Sequence, residues 1–597
     1  MKHLLAAALL PMTTFGQYLN DPILPPQHPW QGASEMLQLP ASDPLATPGE
    51  QSGLIQSPDY QETFQWLDGL IGRSPKLSKV SLGTSPQGRE IWMVVAAGDG
   101  AATPEELMAN GNPTLLVQAG IHAGEIDGKD AGMMLLRDMA LGKKGKLLDG
   151  ANLLFVPIFN VDGHERRGPY NRVNQRGPEV MGWRTTATNL NLNRDYAKAD
   201  TPEMQAMITA LNLWNPLLYI DVHVTDGIDY QYDVTYGYNL AVGHSPATYR
   251  WLENTYRPSV DRALSQAGHI PGSLVFAMDN TDMSQGLSLW NPSPRYSNGY
   301  GDVRHLPTIL IENHSLKPFR QRVLGTYVML EHTLTLLADR SEELRQAVKQ
   351  DQARRPDPVI LTWESERQPQ GWDFKGIGYT TEISEVSGAR VIRWSGEPKL
   401  YPKLPVTGRT KAGIHRARPA AYYIPAQWQL VVERLQLHGI QMTQLSEPVT
   451  QTLSSYSLKH QFSGKDYEGR QRVSVTATEH LGRHNLPKGT WRVTTDQPLG
   501  ELAIQLLEPE ATDSLLQWGF FNTIFTRTEY IEQYAVEPMA QKMLESDPDL
   551  KKAFSQKLAA DPNFANNPQA RLRWFYENSS YYDKEYQRYP VLRKLNP

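Results

Sequence analysis

The sequence predicts an α/β protein with a mixed, largely parallel sheet flanked by helices, followed by a β-rich accessory domain and a mostly helical C-terminal region. Between residues 55 and 345, short apolar runs alternate with longer amphipathic runs, which is the pattern of strands and helices in an α/β domain. Beyond residue 345 the runs become short, β-rich and separated by Gly and Pro. Helical spacing with many aromatic residues returns from residue 529.

The length of 597 residues predicts two or three domains. We expect five segments: a signal peptide (1–16), an N-terminal arm (17–54), the α/β domain (55–345), the β-rich accessory domain (359–510) and the helical region (511–597).

Strand and helix candidates follow one another through the α/β domain. A hairpin at residues 80–97 comes first. The further strand candidates are 114–119, 152–157, 217–223 and 307–312. The helix candidates are 127–141, 202–213, 246–267 and 318–339.

Composition narrows the class of protein. Hydrophobic residues make up 40% and charged residues 21%, as in soluble globular proteins. The net charge of −5 is small for this length, which argues against nucleic acid or an anionic membrane as the main partner. After the N-terminus, no apolar run is long enough to span a membrane.

The N-terminus fits a secretory signal peptide. Lys2 precedes an apolar run at residues 4–10, and Gly16 stands before a plausible cleavage position at Gln17. The alternative is an apolar terminus without a targeting role. We expect a secreted or periplasmic protein, and the absence of cysteine excludes disulfides and thiolate metal sites.

A His-x-x-Glu motif stands at the end of one strand candidate. Gly120, His122 and Glu125 connect the strand at 114–119 to the helix at 127–141. Ligand sites in open α/β sheets lie at the carboxyl ends of strands, and a His and a Glu at this spacing can present two ligands to one zinc ion. With 15 His and 64 acidic residues, about one such motif is expected by chance, so further ligands are needed.

Two more polar residues end apolar strand candidates. His223 closes the run at 217–223, and Glu312 closes the run at 307–312. Two His and one Glu leave a fourth tetrahedral position open, which is typical of catalytic zinc. Glu312 fits a general base beside such a site, and its alternative role is that of a surface cap.

Taken in order, these motifs resemble those of the funnelin-type zinc metallocarboxypeptidases, the carboxypeptidase A/B-like peptidases, with a secreted bacterial-type member as the implied relative. The resemblance covers about residues 55–340 and includes an Asn-x-Asp-Gly loop at 160–163. The matching residues are His122 and Glu125, Arg184, Asn193-Arg194, His223, Tyr296 or Tyr300, and Glu312.

The resemblance implies the catalytic roles. His122, Glu125 and His223 would hold one Zn²⁺ per chain. Glu312 would remove a proton from the attacking water and pass it to the leaving amine. Arg184 would stabilise the developing oxyanion.

The resemblance also implies how substrate is held. Asn193 and Arg194 would bind the terminal carboxylate of a peptide, since a guanidinium suits a two-oxygen acceptor. Tyr296, in preference to Tyr300, would be the mobile tyrosine of the active site. Arg295 could line the pocket for the terminal side chain and favour acidic residues.

The sequence offers alternatives at two positions. The family often has an Asp two residues before the Asn-Arg pair, whereas this chain has Asn191, and Asp221 is a candidate to orient a zinc histidine instead. Arg194 could alternatively form an ion pair with Asp195 or Asp200.

We therefore expect a zinc-dependent metallocarboxypeptidase that hydrolyses C-terminal peptide bonds of substrates with a free carboxylate. One alternative is a zinc amidase or deacylase that acts on cell-wall peptides or small amides. Another is a non-catalytic peptide-binding protein, which the complete set of expected ligands and base disfavours.

Overall fold

A computed structural model describes residues 23–595, so the expected signal peptide at 1–16 lies outside the described residues. The chain forms two compact units. The first comprises the described residues up to 418 together with 429–442 and 493–514. The second comprises 419–428, 443–492 and the described residues from 515 onward. The five segment boundaries given above stay predictions.

Strands occur along most of the chain. The strands of the α/β part are β1 (Leu77–Thr84), β2 (Glu90–Ala96), β3 (Thr114–Ala119), β4 (Asn152–Val156), β5 (Leu218–Thr225), β6 (Val234–Gly237), β7 (Pro271–Ser273), β8 (Val275–Ala277), β9 (Leu287–Leu289) and β10 (Thr308–His314). The later strands are β11 (Val359–Ile360), β12 (Trp363–Arg367), β13 (Trp372–Ile383), β14 (Arg390–Leu404), β15 (Val406–Ala412), β16 (His415–Arg416), β17 (Pro419–Ile424), β18 (Thr443–Gln444), β19 (Val449–Phe462), β20 (Val473–Leu486), β21 (Trp491–Thr494) and β22 (Leu592–Leu595).

Helices alternate with these strands and then dominate near the C-terminus. Those of the first unit are α1 (Pro48–Gln51), α2 (Tyr60–Ile71), α3 (Pro104–Asn110), α4 (Asp127–Ala140), α5 (Leu147–Gly150), α6 (Val161–Glu165), α7 (Pro202–Trp214), α8 (Pro246–Trp251), α9 (Arg257–Gln266), α10 (Ser297–Val303), α11 (Phe319–Gln352), α12 (Gln429–Leu437) and α13 (Gly500–Leu507). Those of the second unit are α14 (Gln533–Ser546), α15 (Pro548–Ala560), α16 (Pro562–Ala565) and α17 (Pro568–Glu577).

The first unit is built on a mixed sheet with the strand order β1-β2-β4-β3-β5-β10-β6-β7. Its centre, β4-β3-β5-β10, is parallel, whereas β1, β2 and β6 introduce antiparallel pairs. Every residue of β3 and β4 is buried, as expected for strands covered on both faces. The predicted α/β fold with flanking helices is confirmed.

Helix α4 lies very close to the centre of this sheet. A Cβ atom on Gly128 would come within 2.8 Å of Val222, and one on Gly132 would come within 2.2 Å of the Phe155 ring. At the start of α4, the buried Asp127 accepts a hydrogen bond of 2.9 Å from Arg322 of α11. The small residues and this ion pair fix α4 against the strands that it follows.

Two helices differ in detail from their predicted bounds. The helix expected at 246–267 is interrupted by a π-helical turn at Leu252–Tyr256, next to Pro258, which has no backbone N–H to donate. Helix α11 continues to Gln352 although its apolar pattern ends near residue 339. Arg340 has non-helical backbone angles there, so the pattern ended at a kink and not at the end of the helix.

The strands after residue 358 occupy four sheets. Strand β15 pairs with β9 of the α/β part, and β17 pairs with β22 at the far end of the chain. Such distant partners leave no local signal in the sequence. A β-rich region and a helical region near the C-terminus are nevertheless both present, as predicted. No helix within residues 23–595 has the length and apolar character that a membrane span requires.

Candidate metal centre

Two strand ends bring three potential metal ligands together. The chain leaves β3 through Gly120, whose φ of 68° favours glycine, and the following turn carries His122 and Glu125 into the start of α4. The Glu125 N–H donates to the His122 carbonyl at 2.8 Å and fixes this turn. His223 lies on the neighbouring strand β5.

The ligand atoms of these residues converge on one point. His122 Nδ1 lies 3.1 Å from Glu125 Oε2 and 3.2 Å from His223 Nδ1. His223 Nδ1 lies 3.0 Å from Glu125 Oε2. All three side chains are at least 96% buried. Two imidazole nitrogens and one carboxylate oxygen directed at a common point form the donor set that zinc prefers, so the residues present fit Zn²⁺.

The other ring nitrogens of the two histidines have their own partners. His122 Nε2 lies 3.0 Å from Asn191 Oδ1, and His223 Nε2 lies 2.8 Å from Asp221 Oδ2. Asp221 therefore does not replace Asn191 as the hydrogen-bond partner of His122. Each histidine has its own acceptor. Asp221 serves His223, because the two residues lie on the same strand, β5.

The surroundings of the two histidines shift their pKa values in opposite directions. Burial, with further contributions from Arg184 and His223, lowers the pKa of His122 to about 4. Burial acts on His223 in the same direction, but the hydrogen-bonded Asp221 outweighs it and raises the pKa of His223 above its ordinary value. For Glu125, burial is outweighed by His122 and Arg172, which hold its pKa well below the usual range.

Glu312 stands beside His223 on the adjacent strand. The parallel register of β10 and β5 pairs Glu312 directly with His223, so both side chains leave the same face of the sheet. Glu312 is partly accessible at the surface of the site, although protein surrounds its carboxyl group on most sides. This burial and the nearby Glu125 and Asp221 raise the pKa of Glu312 to about 8. Such a carboxyl group is suited to proton transfer near neutral pH.

Two arginines contact the outer oxygen of Glu125. Arg184 Nη1 lies 3.1 Å from Glu125 Oε1, and Arg172 Nη2 lies 2.8 Å from the same atom. The Arg172 side chain packs on Gly124, and its Nε donates to Gln175 Oε1 at 3.2 Å. The structure thus brings the predicted Arg184 to the ligands and adds Arg172.

Asn193 and Arg194 lie on the same side of the site as Tyr296. Asn193 is buried, with its Nδ2 at 3.5 Å from His223 Nε2, and its Oδ1 accepts a hydrogen bond of 3.2 Å from Ser297 N. The Arg194 guanidinium lies 4.5 Å from the centre of the Tyr296 ring. Tyr296 is the cap residue before α10 and is partly exposed.

The candidate ion-pair partners of Arg194 bind other cations. Asp195 is paired with Lys198, and Asp200 lies 3.4 Å from Lys198 and 3.8 Å from Arg434. Arg194 itself donates to the Asn193 carbonyl at 2.8 Å.

Tyr300 and Arg295 have structural contacts elsewhere in the first unit. The buried Tyr300 hydroxyl lies 2.8 Å from His438 Nδ1. Arg295 Nη2 lies 2.5 Å from Asp513 Oδ1, and its side chain is only 13% exposed. These contacts favour Tyr296 over Tyr300 as the site tyrosine, and a guanidinium paired with a buried carboxylate is poorly available to an acidic substrate.

Sequence reasoning missed Arg172 and the part played by Asn191. Both lie in the long connection between α6 and α7, which contains few regular elements apart from a short 3₁₀ turn at Leu192–Arg194. No periodic signal marks such a segment. The one available hint was the position of Asn191 two residues before the Asn-Arg pair.

The fold and the site have the arrangement expected of an α/β metallopeptidase. Residues 63–283 match the family model for zinc carboxypeptidases. The chain is thus similar to the zinc carboxypeptidase family over this segment.

Two curated proteins of similar sequence bear the name of a carboxypeptidase. "Carboxypeptidase 2" of Trichophyton tonsurans is 23% identical over 68% of this chain and 73% of its own length. "Carboxypeptidase 2" of Trichophyton equinum is 22% identical over 81% of this chain and 88% of its own length.

Among solved structures, a putative carboxypeptidase A from Shewanella denitrificans has 17% identity and a TM-score of 0.36, covering 48% of this chain and 71% of its own. A metallo-carboxypeptidase from Pseudomonas aeruginosa, solved with (2-guanidinoethylmercapto)succinic acid, has 19% identity and a TM-score of 0.34, covering 48% and 70%.

Proposed function

We propose that this protein is a zinc-dependent carboxypeptidase that removes C-terminal residues from peptides with a free terminal carboxylate. The observation that carries the proposal is the convergence of His122, Glu125 and His223 beside Glu312, at the carboxyl ends of adjacent parallel strands. The curated relatives are themselves named carboxypeptidases.

His122 Nδ1, His223 Nδ1 and Glu125 Oε2 would hold one Zn²⁺. When bound, zinc acts as a Lewis acid that polarises a carbonyl oxygen and lowers the pKa of water. Glu312 takes the proton of the attacking water and transfers it to the leaving amine nitrogen.

Arg184 provides the positive charge for the developing oxyanion. Its side chain is 40% exposed and lies 3.1 Å from Glu125, so its charge stands beside the proposed ligands and is accessible to a substrate. Asn193 and Arg194 hold the terminal carboxylate, and Tyr296 lies against the Arg194 guanidinium.

The location of this activity is proposed from the N-terminal sequence. A signal peptide removed near Gln17 would deliver the enzyme outside the cytoplasm, as a secreted or periplasmic protein. N-terminal sequencing of the exported chain tests this: a mature protein that retains Met1 would contradict it.

The test of the proposed reaction compares the wild type with Glu312→Gln on one panel of substrates. Loss of the base should lower kcat by about 10²–10⁴-fold, because proton transfer is removed while the ligands remain. Zinc content, measured on the same samples, should be one ion per chain in both proteins. Blocked dipeptides, muropeptides and small acyl amides form the panel, with amine release as the readout.

The outcomes separate the alternatives. Turnover of muropeptides or acyl amides without turnover of blocked dipeptides would replace the carboxypeptidase proposal by that of an amidase or deacylase. Zinc binding without turnover of any substrate would favour a peptide-binding protein. A Glu312→Gln variant as active as the wild type would remove Glu312 from its proposed role.

A further inference from the structure

We infer that Asp221 and Asn191 hold the two histidine ligands in the same tautomer by two different means, and that the Asp221 carboxylate is the stronger determinant of zinc affinity. In this tautomer the proton is on Nε2 and the Nδ1 lone pair is directed at the metal. The inference rests on the proposed function for the identity of the metal, and it assigns positioning roles to two residues outside the ligand set.

An ionised carboxylate, such as that of Asp221, has no hydrogen to donate and can only accept hydrogen bonds. Its Oδ2 lies 2.8 Å from His223 Nε2, so the ring must carry its proton there. Its Oδ1 accepts a hydrogen bond of 2.9 Å from Gln118 Nε2, which orients the carboxylate from the other side. Asp221 and Gln118 are both fully buried, so water does not compete for these contacts.

Asn191 must achieve the same result with an amide, which could donate as well as accept. Its Oδ1 lies 3.0 Å from His122 Nε2 and also accepts a hydrogen bond of 2.9 Å from the backbone N–H of Asn193. Because a backbone N–H can only donate, it fixes which end of the Asn191 amide faces the histidine. His122 therefore also carries its proton on Nε2.

The two partners differ in charge although they enforce the same tautomer. A carboxylate makes the imidazole a stronger ligand and adds a negative charge near the dication, whereas a neutral amide mainly orients the ring. At the Nε2 atoms, which face away from the proposed metal, His223 thus has a carboxylate and His122 has an amide. Moving that charge from one histidine to the other should preserve zinc binding, whereas removing it should not.

The experiment measures zinc dissociation constants by competition with a chromophoric chelator, without peptide, at one neutral pH. Asp221→Asn should bind zinc about 10–100-fold more weakly. Its amide can also present its NH₂ group to His223, which would place the proton on Nδ1. Asn191→Asp should bind zinc about tenfold more tightly, and the double variant should recover at least about tenfold over Asp221→Asn.

Asp229→Asn is the matched control. Asp229 is a buried carboxylate 2.9 Å from His314 Nε2, a similar pair in the same unit, and neither residue belongs to the ligand set. Its zinc affinity should stay within about threefold of the wild type, since only a structural pair is changed.

The inference is overturned if Asp221→Asn binds zinc as tightly as Asp229→Asn, or if the double variant recovers nothing. If Asp221→Asn does not fold, the single Asn191→Asp variant decides: tighter zinc binding supports the inference, and unchanged affinity contradicts it. A wild type that binds zinc but hydrolyses no peptide would defeat the proposed function. The zinc affinities of the variants would still decide the inference about Asp221 and Asn191.

Discussion

The side chains around Glu125 show how a buried group of charges is balanced. One carboxylate oxygen faces the two histidines, and the other contacts Arg172 and Arg184. Arg172 is 12% exposed and Arg184 is 40% exposed. Arg172 is therefore suited to keep Glu125 in place, and Arg184 is the arginine that can turn toward a substrate.

Arg194 offers a test of substrate binding at this scale. Hydrogen bonds to charged groups contribute roughly 1.5–3 kcal/mol, so Arg194→Met should lower kcat/KM for blocked dipeptides by about 10- to 150-fold. The change should appear mainly in KM, because the terminal carboxylate is bound in the ground state as well as in the transition state. Steady-state kinetics measure both constants.

Tyr296→Phe is the matched control for Arg194→Met, because it retains the ring against the guanidinium and removes only the hydroxyl. Its KM should change less than that of Arg194→Met. An Arg194→Met variant with wild-type KM would show that the terminal carboxylate is held elsewhere.

The positions of single site residues were predictable where a strand or helix carries them. His122 follows β3, and His223 and Glu312 lie two residues before the ends of β5 and β10, so their convergence could be expected from their places near the carboxyl ends of strands. Asn191 and Arg172 reach the same site from an irregular connection, whose path depends on tertiary packing. No pattern in the sequence contains that path.

Among the elements, α4 helps to position the site, since it follows the His122–Glu125 turn directly. Its glycines allow it to approach the sheet, as the short distances to Val222 and Phe155 indicate. A helix with larger residues at these positions would stand farther from β3 and β5 and would carry Glu125 away from His223.

Gly132→Ala should therefore destabilise the first unit by about 1–3 kcal/mol, because overpacking against Phe155 exceeds the gain in helix propensity of about 1 kcal/mol. Urea unfolding followed by circular dichroism measures the change. Gly69→Ala in α2 is the control, since no atom lies within 4 Å of its added methyl group. That variant should be as stable as the wild type or up to about 1 kcal/mol more stable. Equal effects of the two substitutions would contradict the packing argument.

Element bounds were predictable where hydrophobic period and burial agree, as in β3 and α7. The continuation of α11 beyond Arg340 was not, because its last turns are polar and partly exposed. The strand pairs β15–β9 and β17–β22 join segments more than a hundred residues apart, so local composition could indicate strands there but not their partners.

At the scale of the whole molecule, the first unit is not continuous in sequence. Its late segments, 429–442 and 493–514, carry contacts that earlier residues require. Glu501 binds His244 at 2.6 Å, and Asp513 binds Arg295 at 2.5 Å. Helix α13 is buried along its whole length.

A chain that ends after residue 418 should therefore fail to fold into a zinc-binding protein. It leaves buried partners unpaired, at a cost of roughly 1–3 kcal/mol each, and removes the apolar surface of α13. Size-exclusion chromatography and zinc analysis measure the outcome.

The control for this truncation is a chain in which a flexible Gly/Ser linker replaces residues 533–577. These residues form helices α14–α17, which share a small apolar cluster of their own around Phe554. That chain should keep the oligomeric state of the full-length protein and bind zinc. A truncated chain ending at 418 that is monomeric and holds one zinc ion would contradict the argument.

The discontinuous first unit also sets an order of events during synthesis. The ribosome completes the strand of Glu312 long before it reaches residue 514, where the last segment of the unit ends. At about 5–20 residues per second, the intervening 202 residues (514 − 312) take roughly 10–40 s. During that interval the nascent chain contains every proposed ligand and the base but lacks all or part of residues 429–442 and 493–514 of the first unit. The first unit therefore cannot be complete before residue 514 has been synthesised.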